Sequence, residues 1–175
     1  MASIRILSPD DDRSSFRSGN EDLDRFFRKY AALNQYVHHL GVTYVATEGQ
    51  RLLGYATIAP ASIQGDDFAM MRAKKLPQYP LPALRLARLA VAKEMQGKGI
   101  GTGLLRFVFS LALEMSARLG CVGILVDAKP SAVPYYKGFG FEPRMVVAGQ
   151  SGDRPEPVVM FLSLDKVRDS IGSGP

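Results

Sequence analysis

Cysteine occurs once in the 175 residues, at Cys121. One thiol excludes an internal disulfide framework, and a reducing cytoplasm is the expected compartment. Cys121 lies in an apolar stretch and reads as core, because a nucleophilic thiol needs an electropositive, partly open site. Long hydrophobic runs are also scarce. The opening residues, Met1-Ala-Ser-Ile-Arg-Ile-Leu-Ser-Pro9, contain no secretory-type apolar segment. The most apolar helical stretch, Leu104 to Met115, is interrupted by Arg106 and Ser110. It reads as too short and too polar for a bilayer, so no membrane association is expected. Histidine is confined to His38-His39. Adjacent helical residues do not share a face, and no cysteine or acidic cluster accompanies them, so a helix-end role is expected and no metal.

A general base is missing as well. Asp127 and Glu94 are the candidates, yet each reads more readily as a solvated carboxylate. The net charge of +5 favours a polyanionic partner without identifying one. The apolar fraction of 46% and charged fraction of 22% are those of a globular protein. One domain is expected over 1–169, followed by a polar tail over 170–175, with no internal repeat.

Ser3 to Leu7 reads as a short edge strand. Ser18-x-x-Glu21 has capping-box spacing before a helix carrying Leu23, Phe26, Phe27, Tyr30 and Val37, which Gly41 can stop. Val42 to Thr47 and Leu52 to Ala59 read as a hairpin about Glu48-Gly49-Gln50. Residues 64–83 read as a long irregular connection with Pro77, Pro80 and Pro82. Leu84 to Val91 is a strand. Ile100 to Leu119 is a helix stopped by Gly120, and Cys121 to Val126 is a buried strand. Ser131 is placed to cap a short helix through Tyr136. Phe139-Gly140-Phe141 leads into a strand near Met145, and Val158 to Leu164 closes the sheet. The 84–126 unit is a strand–helix–strand crossover, expected to be right-handed and parallel, in an α/β sheet with helices on both faces.

The most informative stretch is Arg88-Leu-Ala-Val-Ala-Lys-Glu-Met-Gln-Gly-Lys-Gly-Ile-Gly-Thr-Gly-Leu-Leu105. An apolar strand runs into a turn with Gly97, Gly99, Gly101 and Gly103, and the turn opens a helix. Successive exposed N–H groups followed by a helix N-terminus form an anion site, and a pyrophosphate is the natural occupant. The spacing differs from the dinucleotide fingerprint, and no Gly-Lys-Ser/Thr closes it as in a Walker loop. A purely structural turn would not need four glycines in seven residues.

Gln96-x-x-Gly99-x-Gly101 resembles the acyl-coenzyme-A loop of the GNAT acetyltransferases. Leu89-Ala90-Val91 before the loop, and Tyr135-Tyr-Lys-Gly-Phe-Gly-Phe141 after the second core strand, resemble the same family. Phe16-x-Ser-Gly-Asn-x-x-Leu23-Asp24, with Ala31 and Asn34 and with Leu86-Ala-Arg-Leu-Ala-Val91, looks like the GNAT toxins of bacterial toxin–antitoxin pairs. The resemblance implies a GNAT fold: a twisted, mixed, mostly antiparallel sheet, a central splayed parallel strand pair, and helices on both faces. It implies acetyl-CoA as co-substrate, bound by Leu89, Ala90, Val91, Gln96, Gly97, Lys98, Gly99, Gly101, Thr102 and Gly103. It also implies Tyr136 as the general acid that protonates the departing thiolate, with Tyr135 in the core.

For the toxins it implies acetylation of the α-amino group of aminoacyl-tRNA, a homodimer and a cognate antitoxin. An α-amine, with a pKa of about 7.7–8.0, needs less help from a base than a lysine amine near ~10.4. Arg72, Lys74, Lys75, Arg85 and Arg88 precede the acyl site and are candidates for the RNA phosphates. Solvated lysines and an internally paired strand arginine are the competing reading. Two other functions stay open: a GNAT enzyme acting on a small-molecule or protein amine, and a non-catalytic acyl-CoA- or RNA-binding module.

Overall fold

The computed structural model describes residues 2–144 and 157–172. In chain order the strands are β1 (Ser3–Ile6), β2 (Val42–Glu48), β3 (Arg51–Ile63), β4 (Leu81–Val91), β5 (Gly123–Ala128), β6 (Glu142–Pro143) and β7 (Val158–Ser163). The helices are α1 (Glu21–Arg25), α2 (Ala31–Tyr36), α3 (Ala69–Arg72), α4 (Ile100–Arg118), α5 (Val133–Gly138) and α6 (Leu164–Gly172). The strands form one sheet in the order β1-β2-β3-β4-β5-β7-β6, mostly antiparallel, with β4 and β5 parallel. The expected architecture is therefore present. One detail differs: β7 lies between β5 and β6, so it does not close the sheet. The strand expected near Met145 is β6, and Met145 itself lies outside the described residues.

Contacts gather the chain into two compact units: residues 1–59 with 86–108, and residues 60–85 with 109–175. In the first, Phe16, Phe27 and Tyr55 pack ring on ring, at centroid separations of 4.8 Å for Phe16–Phe27 and 4.2 Å for Phe27–Tyr55. Leu7, Val45 and Ala90 complete that cluster. In the second, Phe68 stacks on Phe161 at 4.9 Å, with Ile63, Leu81 and Leu125 around them.

The helix expected from Leu23 to Val37 is interrupted. Between α1 and α2, residues Phe26–Tyr30 form a π-helical turn. The wider turn buries both Phe26 and Phe27 in the cluster that surrounds Tyr55. The capping box is also corrected. Asn20 is the N-cap and accepts from the Leu23 N–H, while Ser18 is engaged elsewhere. Gly41 does not stop the helix. The chain leaves it at Val37 and turns through His39 at φ +54°, in keeping with the expected helix-end role of the histidines. Gly41 instead admits β3, since a Cβ there would stand 2.5 Å from the Ile58 carbonyl oxygen.

The hairpin forms at Gly49-Gln50, with Glu48 opposite Arg51. β3 runs to Ile63 and β4 starts at Leu81, so both are longer than their periodicity suggested, and the connection contains the short helix α3. Pro134 falls in the first turn of α5, whose N-cap is Ala132 in place of Ser131. The expected tail is helical through Gly172, and residues 173–175 lie outside the described residues.

Helix α4 has 19 residues and a mean hydropathy of 1.3, so length and composition alone would let it cross a membrane, contrary to the expectation from its central part. Its apolar stripe is used in the core: Leu104, Leu105, Val108, Phe109 and Ala112 are all within 1% of full burial. Gly120 at φ +99° ends it, donating to the Met115 carbonyl as expected of a C-terminal glycine.

Candidate acyl-transfer site

The glycine loop leaves β4 through a single 3₁₀ turn, Lys93–Met95. Gly97 and Gly99 then take φ +75° and +83°, conformations that cost an L-residue about 1–2 kcal/mol each. Gly99 accepts from the Gly103 N–H at 2.9 Å and so starts α4. The N–H groups of the first helical turn, Ile100 to Thr102, have no partner within the helix and face the loop's own end. A Cβ at Gly97, Gly99 or Gly103 would meet nothing within 4 Å. At Gly103, helical backbone would accept alanine, so the missing side chain leaves room for something outside the protein. Amide donors, helix N-terminus and cleared space together fit a pyrophosphate.

The loop is anchored by a polar strap that the sequence reading missed. Gln96 Nε2 donates to the carbonyls of Val91 (3.0 Å) and Ser18 (2.7 Å). Lys93 N–H donates to Arg17 O at 2.8 Å. Ser18 is fixed in turn by Asp24, whose Oδ1 accepts from the Ser18 N–H at 2.9 Å and hydroxyl at 2.6 Å. Asp24 is 2% exposed, a burial a carboxylate tolerates only when hydrogen-bonded. The Ser-Gly-Asn…Asp spacing was the visible signal, but capping-box chemistry explained it first.

In the second unit, Tyr136 lies in α5, 6% exposed, between Tyr135 (5.3 Å) and Phe141 (5.4 Å). Its carbonyl accepts from the N–H groups of Phe139 and Phe141, which folds the Phe-Gly-Phe turn back under the ring. Burial, with the neighbouring Tyr135 phenol, pushes the Tyr136 phenol above its ordinary pKa. It keeps its proton at neutral pH and is able to donate it. Tyr135 is 39% exposed, so it does not occupy the core position expected of it.

Residues 39–143 match the acetyltransferase (GNAT) domain family. The chain belongs to the GNAT acetyltransferases. It is 33% identical over 139 residues to a tRNA-acetylating toxin of Mycobacterium tuberculosis (strain ATCC 25618 / H37Rv), covering 79% of this chain and 82% of that protein. The fold matches AtaT complexed with acetyl-methionyl-tRNAfMet, with a TM-score of 0.82, 24% identity, and coverage of 98% and 99% of the two chains. It also matches a variant AtaT toxin bound to the C-terminus of the antitoxin AtaR and acetyl-CoA, with a TM-score of 0.76, 23% identity, and 99% of each chain covered. The protein is an acetyl-CoA-dependent N-acetyltransferase.

Within this GNAT chain the basic residues are more engaged than the sequence suggested. Arg85 pairs with Asp127 at 2.8 Å, Lys74 with Asp165 at 2.6 Å, and Arg72 Nε donates to the Asp66 carbonyl at 3.1 Å. Lys75 takes a positive φ of 48° at the end of its turn. Arg88 lies over the Phe26 ring, 3.7 Å from its centroid. Four of the five are therefore engaged within the protein, Arg85 and Lys74 by carboxylates, Arg72 by a carbonyl and Arg88 by a ring.

Neither carboxylate candidate for the base is free. Asp127 is taken by Arg85. Glu94 meets Arg51 at 2.9 Å, and its own backbone N–H, with that guanidinium, holds its carboxyl below the usual range. A carboxylate held low is a poor proton acceptor. Cys121 is buried, and burial pushes its thiol up, as suits a core residue. Among the described residues no cluster of three or more His, Cys, Asp or Glu is arranged to hold a metal.

Proposed function

We propose that this GNAT enzyme transfers the acetyl group of acetyl-CoA to the α-amino group of an aminoacyl-tRNA, and that it is the toxin of a cytoplasmic toxin–antitoxin pair. The observation that carries this reading is the kinship with a tRNA-acetylating toxin along four-fifths of the chain. The absence of a free base among the candidate carboxylates supports it, because an α-amine is substantially neutral near its pKa of about 7.7–8.0.

In this reading Leu89, Ala90 and Val91 hold the acyl-pantetheine arm. A backbone N–H of that strand end donates to the thioester oxygen as it becomes an oxyanion. Gln96 to Gly103 hold the pyrophosphate through main-chain N–H groups. The neutral amine attacks the thioester carbon, the C–S bond breaks as the tetrahedral intermediate collapses, and Tyr136 gives its phenolic proton to the departing coenzyme A sulfur. The amine's extra proton passes to solvent. Arg72, Lys74, Lys75, Arg85 and Arg88 contribute to the RNA side as far as their internal pairs allow. The enzyme acts as a homodimer, and a cognate antitoxin binds it.

The test offers labelled acetyl-CoA with charged tRNA, uncharged tRNA, free amino acids and polyamines. Label transferred to charged tRNA alone is the expected result. Efficient acetylation of free small amines with charged tRNA untouched would assign the enzyme to small-molecule acceptors and leave the family and fold unaffected.

A further inference from the structure

A small cavity of about 70 Å³ opens in the first unit, beneath the π-helical turn and against strands β2 to β4. Thr43, Thr57, Ala59 and Ala87 are among its lining residues, together with Phe26 and the Arg88 stacked on it. Ala87 and Arg88 are the two residues of β4 immediately before Leu89-Ala90-Val91. A strand advances about 3.3 Å per residue, so the cavity lies within two or three residues of the strand end assigned to the acyl group.

We infer that this cavity receives the side chain of the acceptor amino acid and admits only small ones, so that the enzyme acts on tRNA carrying glycine, alanine or serine. The inference rests on the aminoacyl-tRNA reading and adds which aminoacyl groups are used. Size decides it first. A water occupies about 30 Å³ of liquid and an apolar cavity of about 150 Å³ takes benzene, so 70 Å³ holds two or three heavy atoms. A leucyl, methionyl or phenylalanyl side chain exceeds that volume.

Chemistry decides it second. The Thr43 and Thr57 hydroxyls share one hydrogen bond at 2.8 Å, which leaves acceptor capacity on the less buried of the two, Thr57, for a serine hydroxyl. The threonine methyl groups and alanines suit a bare methyl. Thr43 is held in place, because it is 1% exposed and its N–H donates to Gln35 Oε1 at 2.8 Å.

The experiment uses the wild-type enzyme, acetyl-CoA and a set of tRNAs charged with glycine, alanine, serine, leucine, methionine and phenylalanine. The expected result is kcat/KM at least about tenfold higher for the first three, the discrimination a sterically limited pocket supplies. Ala59→Leu fills the cavity and should abolish alanyl and seryl transfer while acetyl-CoA affinity holds. Thr57→Ala enlarges it and should narrow the small-over-large ratio, and it keeps the test open if Ala59→Leu fails to fold. Equal use of large and small aminoacyl groups, or a ratio unmoved in a folded variant, overturns the pocket assignment alone. No acetylation of any charged tRNA overturns the aminoacyl reading and this assignment with it.

Discussion

The glycine loop of the first unit and the tyrosine helix of the second are built from opposite materials. The loop has almost no side chains. In the proposed mechanism it acts through amide N–H groups, and its course is set by two positive-φ glycines and by a strap from Ser18 and Gln96. The tyrosine, in the proposed mechanism, acts through one side-chain proton, and it is enclosed by rings, with Tyr135 and Phe141 both within 5.4 Å. A backbone site must avoid bulk and stay open to a charged ligand. A phenol holds its proton at neutral pH even in water, and burial raises its pKa further. The comparison teaches that the two variants most damaging to the enzyme should fail in different ways, one in binding and the other in chemistry.

The largest effect on binding is expected at Gly99. An aspartate there adds negative charge beside the anion site and forces an L-residue to φ +83°. Gly99→Asp should weaken acetyl-CoA by at least about a hundredfold, combining roughly 1–2 kcal/mol of backbone strain with charge repulsion of similar size. Calorimetry on the folded variant is the check. Unchanged affinity would remove the loop from the acyl-CoA site.

Next is Tyr136→Phe, which should lower kcat by about 10²–10⁴-fold while acetyl-CoA affinity changes little, because the phenol acts only as the sulfur departs. The half-exposed Tyr135 should tolerate phenylalanine with a few-fold loss. If Tyr135→Phe is inactive and Tyr136→Phe is not, the proton donor has been placed one residue too late.

Why the loop and the tyrosine could be read from sequence, and their supports could not, follows from the same contrast. Glycines at alternate positions have few uses, so Gly97 to Gly103 announced their geometry. Tyr-Tyr-Lys-Gly-Phe-Gly-Phe carried its own turn. The support for the loop comes from 70 to 80 residues earlier in the chain, where Ser18 and Asp24 have no spacing that points to Gln96. Capping-box spacing at Ser18-x-x-Glu21 even led elsewhere, since the helix starts two residues later with Asn20 as its cap, and the Ser18 hydroxyl goes to Asp24. The basic residues misled for a related reason. Asp127 and Asp165, which occupy Arg85 and Lys74, are distant in sequence and adjacent only after folding.

The strap itself gives the third prediction. Asp24→Ala leaves the Ser18 N–H and hydroxyl without their acceptor, at a cost of about 1–3 kcal/mol in stability. It should also raise the KM for acetyl-CoA several-fold with kcat nearly unchanged, because what loosens is the loop and not the proton donor. Asp24→Asn keeps an acceptor oxygen and should restore most of the KM, a rescue that mere destabilisation does not predict. A KM equal to wild type in folded Asp24→Ala would show that Gln96 holds the loop through Val91 alone.

A smaller effect is expected at Arg88, the one charged residue lining the cavity among those described. A fixed cation beside an amine disfavours its ammonium form and lowers its pKa. More of the amine is then neutral at a given pH, which compensates for the lack of a base. In Arg88→Gln that help is lost, so the acid limb of the kcat/KM profile should move to higher pH by a fraction of a unit. At pH 9, where the amine is neutral anyway, the variant should approach wild type. A uniform loss at every pH would assign Arg88 to binding instead.

The smallest change should follow neutralising Arg72, Lys74 and Lys75 together. Sequence alone would make this triple variant severe, because three cations in one loop suggest a phosphate track. The structure shows Lys74 held by Asp165 and Arg72 by the Asp66 carbonyl, so each already spends part of its charge within the protein. All three remain exposed, so some attraction to RNA persists. A phosphate contact contributes about one unit to the slope of log affinity against log salt. The triple variant should therefore reduce that slope by about one and raise the tRNA KM only a few-fold, with acetyl-CoA affinity intact. A slope reduced by three would mean that the RNA displaces Asp165 from Lys74, and removing that carboxylate by Asp165→Asn should then tighten tRNA binding. An unchanged slope would move the RNA contact away from this loop altogether.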